Sequence, residues 1–558
     1  MNHQRTWPLT LTITLGLAIL VALLLMAEAT AQAPNSTSRY VATTGVDSGA
    51  CTNPATPCHT VQYAVDAADD GDEVLVATGV YTGVQVRAGI TQVVYISQTV
   101  AVRGGYRADF GAWDPEVYST TLDAEGQGSV IHAVGPGITL TLESLHITGG
   151  QATTPDDKSG GGIDIFQATA FLRNNQVYSN TAYAYGGGIA LSSATVSLEA
   201  NTIQSNTTQA PLYYFGGGAL YATNCELALT NNIMRNNTSG ERGGGVYLGG
   251  GHALLVGNTF VGNQGIGREG GAVHLEAGTA TLSENTFRDN SAHWGGGVYA
   301  NQGTLTLTHN LFVSNTVVVY SGGAVSLQES VGTLSHNVIM SNTANNRGGG
   351  VHVYSQYIPS YVTLDANLIL GNHAQNDGGG VFVMGNVVAT LTNNVIADNR
   401  ADGHGDGLSS WGATTHLLHN TLARNAHSGL RVEAGPVHLT NTLFFSQTVG
   451  IDNAGGTVTA TTTLWDSVLT PTLGLVAESG SFAGSAALAA DGYHLTAASD
   501  AVDAGEFAGV GSDLDGERRP MGGGPDLGAD EVPSTLGAYL PLVLKLPPSG
   551  PGPTPPAR

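Results

Sequence analysis

Between residues 160 and 446, apolar positions recur in short period-2 runs broken by Gly and Asn. In residues 270–290, small residues lead into alternating Val273 and Leu275, and Gly278 interrupts the run. Alternation resumes to Leu282, and Asn285-x-Phe287-x-x-Asn290 closes the unit. The closing element returns at Asn175, Asn201, Asn231, Asn258, Asn310, Asn337, Asn367, Asn394 and Asn420, with a further copy at Asn441-x-Leu443 that ends in Ser446. An opening Gly-Gly-(Gly/Ala)-apolar element precedes most copies, ending for example at Ile163, Ile189, Val246, Val298 and Val381. Steps of roughly 25 to 30 residues mark a repeat architecture and not a set of independent domains.

Period-2 alternation without helical periodicity predicts strands. Three short strands and three turns per unit predict an all-β right-handed parallel β-helix, a solenoid of about a dozen coils spaced roughly 4.8 Å apart. Glycines are expected at corners with positive φ. The second Asn of each copy is expected to stack inward at a bend and bond its equivalents above and below. Residues 60–68 place Val61, Ala64, Val65 and Ala68 at helical spacing, which predicts a short helix capping the first coil.

The pattern divides the chain into a signal peptide (1–33), a cap with irregular first coils (34–159), regular repeats (160–456), closing coils (457–532) and a Pro/Gly-rich tail (533–558). The apolar run from Leu9 to Met26 followed by Ala29-Thr30-Ala31 reads as a secretory signal, leaving a secreted or surface-exposed mature chain without a transmembrane segment. The run is also long enough for an uncleaved anchor. Tyr539 to Leu546 in the tail is too short to span a bilayer. In an exported chain, Cys51 and Cys58 are expected to form a local disulfide, with Cys225 left as a buried thiol. The 558 residues include 78 Gly, only 11% are charged, and the net charge is −24. That balance fits an exported solenoid and excludes nucleic acid as a partner, which needs clustered Lys and Arg.

The pairing of Gly270-Gly271-Ala272-Val273 with Phe287-x-x-Asn290 resembles the repeats of chlamydial polymorphic outer-membrane proteins, surface β-helices implicated in adhesion. No C-terminal barrel translocator follows, so the resemblance does not imply autotransport. The wider chain resembles the pectate-lyase-like superfamily. Its ending, Asp513-Leu514-Asp515-Gly516 through Pro525-Asp526-Leu527-Gly528-Ala529-Asp530-Glu531, is similar to the closing segment of secreted β-helix proteins that lack an assigned activity.

Candidate chemistry is sparse. Asp402, His404 and Asp406 are the best catalytic candidates, because paired carboxylates serve acid/base hydrolysis. Asp406 also falls where the repeat expects Gly, so a degenerate repeat is the competing reading. Arg242, Arg268 and Arg347 precede Gly-Gly openings beside Glu269 and Asp377, which fits an Arg–carboxylate ladder. His309, His336 and His419 share one register and read as turn residues, so no metal site is expected. Asp513-x-Asp515-Gly516 offers oxygen ligands for Ca²⁺, with pairing to Arg518 and Arg519 as the alternative; otherwise no cofactor is implied. The position after the opening apolar residue reads Tyr221, Tyr247, His274, Tyr299, Ser326, His352 and Phe382. Side chains alternate along a strand, so this column faces outward. Tyr183, Tyr185, Tyr213, Tyr214, Phe215, Trp294 and Tyr320 lie just upstream. An exposed aromatic strip predicts adhesion or binding to a polysaccharide or cell-surface glycan. A polysaccharide lyase or hydrolase and a structural surface protein without ligand are the alternatives.

Overall fold

The computed structural model describes residues 36–154, 158–209 and 216–533. The signal segment, most of the tail and Tyr213, Tyr214 and Phe215 lie outside the described residues. Within them no helix is long and apolar enough to cross a membrane.

One unit shows how the sequence builds a coil. Strands run at Val273–Glu276, Thr279–Ser283, Thr286–Arg288 and Ser291–Trp294. Each pairs in parallel with its counterpart one coil on, placing Val273 opposite Val298, Ala280 opposite Leu305 and Phe287 opposite Phe312. The coil thus has four strand segments, not three. Among the described residues the fourth belongs to a separate ten-stranded sheet, while the others wrap into one sheet of 43 strands. Val273, Leu275, Ala280, Leu282 and Phe287 point into a continuous apolar core. Phe260, Phe287 and Phe312 stack within it at 4.9 and 4.6 Å between ring centroids.

Both Asn of the closing element turn inward, not the second alone. One ladder runs from Asn175 through Asn285 to Asn420 and the other from Asn180 through Asn290 to Asn425. Asn290 Nδ2 donates to Phe260 O and to Asn315 Oδ1, both at 3.0 Å. Its Oδ1 accepts from the backbone N of Asn263 at 2.9 Å and from Asn263 Nδ2 at 3.0 Å. Both donors and both lone pairs of the amide are used, which is what permits a polar group in the core. The residue before each Asn holds a positive φ, as at Glu284 (58°) and Asp289 (55°). Many corners are therefore non-Gly residues in the left-handed region. His309 and His336 occupy such corners.

In two copies the register differs from the expectation by one residue. Asn232, not Asn231, joins the first ladder, so Met234 is buried and Ile233 is 42% exposed. In the last copy Phe444 pairs with Leu422 and Gln447 bonds Leu422 O, in place of Leu443 and an Asn.

At the N-terminus the helix Val61–Asp66, N-capped by the Thr60 hydroxyl, buries Val61, Ala64 and Val65 in the end of the core. Cys51 and Cys58 form a disulfide with a Cα separation of 5.3 Å. Cys225 is a buried free thiol whose pKa burial raises.

The C-terminal segment departs from the expected closing coils. Coil strands end at Phe482–Ala483, and residues 484–533 fold back along the flank of the rod as a strap. The reason is visible in the third strands. Where Thr286 and Arg288 face solvent in a regular coil, the later coils present Leu368, Val395, Ala397 and Ala423. Leu514 and Ala529 of the strap pack on these residues. Ala529 N donates to Thr421 Oγ1 at 2.9 Å, and Asn393 Nδ2 donates to Ser512 O at 2.9 Å.

Candidate functional site

The aromatic column faces away from the core, but it is not an exposed strip. Tyr221, Tyr247, His274, Tyr299, His352 and Phe382 are between 0 and 7% exposed. Successive rings stack on one another: Tyr221 on Tyr247 at 5.2 Å, Tyr247 on His274 at 5.0 Å, His274 on Tyr299 at 5.1 Å and His352 on Phe382 at 5.7 Å. At the strand spacing of about 4.8 Å two flat rings leave no room for a third group, so an in-register aromatic column hides its own faces. The corner glycines close one side. Gly270 (φ 75°) lies so near the stack that a Cβ there would meet His274 Cβ at 2.8 Å. Trp294 is half-buried, lies 5.7 Å from His352 in a tilted contact, and stacks on Tyr320 at 4.6 Å. The stack is therefore unavailable to a ligand, with Trp294 and Tyr320 at its margin.

The accessible column lies two residues further along each strand. Thr223, Gly249, Glu276, Asn301, Gln328, Tyr354, Met384 and Trp411 stand in register on consecutive coils, and all are at least partly exposed. The same alternation that singled out His274 points to Glu276, so this column could have been read from the sequence. Its mixed polar composition hid it beside the aromatic one.

At its centre, Glu276 gathers three partners. Its Oε2 lies 3.1 Å from His274 Nε2 and 3.4 Å from Arg242 Nη1, and its Oε1 accepts from Asn301 Nδ2 at 2.7 Å. Arg242 also pairs with Glu269 at 2.8 Å. Tyr299 donates from beneath to Gln328 Oε1 at 2.7 Å. Burial works to raise the Glu276 pKa, but His274, Asn301 and Arg242 outweigh it and hold the carboxyl low. Burial works to lower the Arg242 pKa, but Glu269 and Glu276 lift it above its ordinary value. Further along, Arg347 covers Phe382 and Trp411 at 5.0 and 4.8 Å and pairs with Asp377.

Asp402, His404 and Asp406 do not assemble into a catalytic group. Asp402 pairs with Arg400 and His373 on the surface, and His404 is exposed. Asp406 is fully buried, and its oxygens accept from the backbone N of Ala401, His427 and Ser428 at 2.9 to 3.0 Å. Its carboxylate ties a turn where other coils use Gly. His419 is also more than a corner residue: the strap buries it, with Nδ1 3.0 Å from Asp526 O.

A second concentration of titratable groups lies in the strap. The Asp513 carboxylate ties the turn together, its oxygens accepting from the backbone N of Asp515, Glu517 and Glu531. Arg519 and Glu531 form a buried pair at 2.9 Å. Burial raises Asp513 and Asp526 to about 6 and Asp530 to about 7. Burial opposes a charge on His494, but Asp515 and Asp491 lift it to about 9. All four folded values lie above the unfolded ones. The carboxyls therefore contribute stability that is present below about pH 4 and is lost as pH rises through 6 to 7. The His494 contribution holds below about 6.5 and is lost as pH rises through about 9. Asp491, held low by His494 despite its burial, and His419, pushed down to about 3 by burial under the strap, act in the opposite sense and lose their smaller contributions as pH falls below about 4 and 6.5, respectively. Hydrogen exchange of residues 484–533 in metal-free buffer, corrected for the intrinsic rate, should show stronger protection at pH 5 than at pH 8. Equal or greater protection at pH 8 would contradict this assignment.

Two solved structures align along most of this chain. Pectate lyase Pel9A matches over 90% of this chain and 98% of its own, at 14% identity and a TM-score of 0.22. XylC, in a complex with xylose, matches over 88% of this chain and 99% of its own, at 11% identity and a TM-score of 0.29. No curated protein sequence matches the chain. The family model for the right-handed β-helix region matches residues 123–279, 162–331 and 317–463. These segments overlap into one span that covers most of the coils, and the chain belongs to the right-handed β-helix family.

Proposed function

We propose that this protein is an exported glycan-binding or adhesion protein, and that its ligand lies along the second outward column. The observation that carries this reading is the row Glu276, Asn301 and Gln328, flanked by Arg242, Trp294 and Trp411. Hydrogen-bonding side chains recur there at one per coil, on a base made rigid by the buried rings. An extended polysaccharide presents a linear repeat of hydroxyls that can follow such a row, with aromatic groups at the margin to contact sugar faces. The resemblance of the repeats to chlamydial polymorphic outer-membrane proteins and the Cys51–Cys58 disulfide support a surface setting.

Binding is favoured over catalysis by the charge state of the centre. A lyase base must give up its proton near neutral pH, and a hydrolase acid must hold one. Arg242 is shifted upward and Glu276 downward, the reverse of both requirements.

The test is affinity electrophoresis through gels containing polyuronates or neutral polysaccharides, with a reducing-end assay on the same panel. The variant N301A/Q328A/W411A should lose retention by about tenfold or more, roughly 1.4 kcal/mol, with unchanged circular dichroism. Thr281→Ala, facing outward from the second strand and away from this column, should bind as the parent does. Equal retention by the triple variant would remove this column as the binding site. Sustained release of reducing ends would replace binding with cleavage.

A further inference from the structure

Three separate turns of the strap bring His494, Asp515 and Asp530 together. Each offers one ligand atom, and all three atoms lie within 4.8 Å of one another. We propose that these residues form a site for a divalent transition-metal cation that cross-links the turns of the strap to one another.

The geometry is that of a nearly closed coordination shell. Ligands about 2.0–2.2 Å from a shared ion stand roughly 3–4 Å apart, so closing separations of up to 4.8 Å needs side-chain shifts on the order of an ångström. His494 Nε2 and Asp515 Oδ2 are 2.8 Å apart, and the ion would replace that hydrogen bond. The opposite ring nitrogen, Nδ1, bonds Asp491 Oδ2 at 2.5 Å. That is the carboxylate–histidine arrangement which orients an imidazole and raises its basicity toward a metal.

An independent observation also points to a ligand. Asp530 is 1% exposed, and its Oδ2 accepts from Leu495 N at 2.6 Å, but its Oδ1 has no hydrogen-bond partner in the protein. A buried carboxylate oxygen without a donor is costly, and a coordinated cation removes the cost. The Asp515 side chain is 41% exposed, which leaves a path for the ion and room for water to complete the shell.

The donor set selects the class of ion. One imidazole nitrogen with two carboxylates suits Zn²⁺, Mn²⁺ or their neighbours, whereas Ca²⁺ prefers six or more oxygens. The ion would join residues far apart in sequence, so binding to the folded strap stabilises it by mass action.

The test is calorimetric titration of chelator-treated, full-length mature protein with Zn²⁺, Mn²⁺ and Ca²⁺ separately, alongside Co²⁺ absorption and hydrogen exchange of residues 484–533. One transition ion per chain should bind at least tenfold more tightly than Ca²⁺ and slow exchange in the strap. Asp530→Asn keeps an acceptor for Leu495 N and should weaken binding at least 100-fold. Asp515→Asn, at a partly exposed position, repeats the test with less risk to folding. Asp491→Asn should weaken binding by roughly 10- to 100-fold. Absence of stoichiometric binding, preference for Ca²⁺, or equal affinity in Asp530→Asn and Asp515→Asn would overturn the site and leave His494 as a salt-bridged structural residue.

Discussion

Asn290→Leu should destabilise the rod by about 2–6 kcal/mol, far more than its modest change in volume suggests. The side chain fits, but the hydrogen bonds do not. Asn290 Oδ1 receives the backbone N–H and a side-chain N–H of Asn263, and both lie in the core with no water to replace it. Each buried donor left unmade costs about 1–3 kcal/mol. Phe260 O, in the same coil as Asn263, also loses its side-chain donor, while on the other side Asn315 Oδ1 keeps the backbone N of Asn290. The damage is therefore directional, falling chiefly on the preceding coil. Because a solenoid is stabilised by nearest-neighbour interfaces, unfolding should begin at the junction between the coils of Asn263 and Asn290. Asn376→Ala is the control. That residue bonds Asn346 on the surface, and the change should stay within about 0.5 kcal/mol. Chemical denaturation and hydrogen exchange would compare the two. Equal midpoints would show that the ladder contributes no more than a surface amide.

The ladder also shows which features can be read from residues alone. Repeat length and inward alternation were legible because each is written many times in register. A single copy is weaker evidence. At Asn231-Asn232-Ile233-Met234 two residues qualify for each role, and only the pairing with neighbouring coils selects Asn232 and Met234. The outward direction of Tyr247 and His274 was equally legible, but their burial was not. Burial depends on what a ring meets one coil away, and a ladder of identical rings consumes the faces that a ligand would use. Glu276 was legible by the same alternation. Its role was not, because Arg242 and Asn301 reach it from different coils. The strap was the hardest feature. Its signal is the run of outward apolar residues Leu368, Val395, Ala397 and Ala423 in the third strands, which need a cover that arrives more than 100 residues later, as in the contact of Ala529 with Thr421.

That cover is the subject of the second large expected effect: Arg519→Met should detach the strap and leave the coils intact. Arg519 Nη1 lies 2.9 Å from Glu531 Oε2, and both side chains are fully buried. Arg519 also donates to Asp526 O at 3.1 Å and Gly528 O at 2.8 Å. Glu531 accepts from the backbone N of Met521 and Asp526, so the pair holds two arms of the strap in one fold. Removing one partner of a buried ion pair costs about 3–5 kcal/mol, because the other charge stays buried without compensation. The strap meets the rod through two small apolar clusters, one around Leu514 and Ala529 and one that packs Ala486, Leu495, Ala501 and Leu527 on Leu443 and Leu464, and an effect of that size is a substantial share of what they supply. The rod, by contrast, has its own continuous core. The variant should therefore keep its β-sheet circular dichroism, lose exchange protection at residues 484–533, and bind a hydrophobic dye at the uncovered Leu368, Val395 and Ala397. The double change R519M/E531Q should recover part of the protection, since Gln removes the stranded charge and keeps an acceptor oxygen for the backbone N–H groups that Glu531 holds. Unaltered protection in Arg519→Met would mean that apolar packing alone holds the strap. Loss of the whole β signal would mean that the strap and the coils form one cooperative unit, and that the later coils depend on their cover to fold.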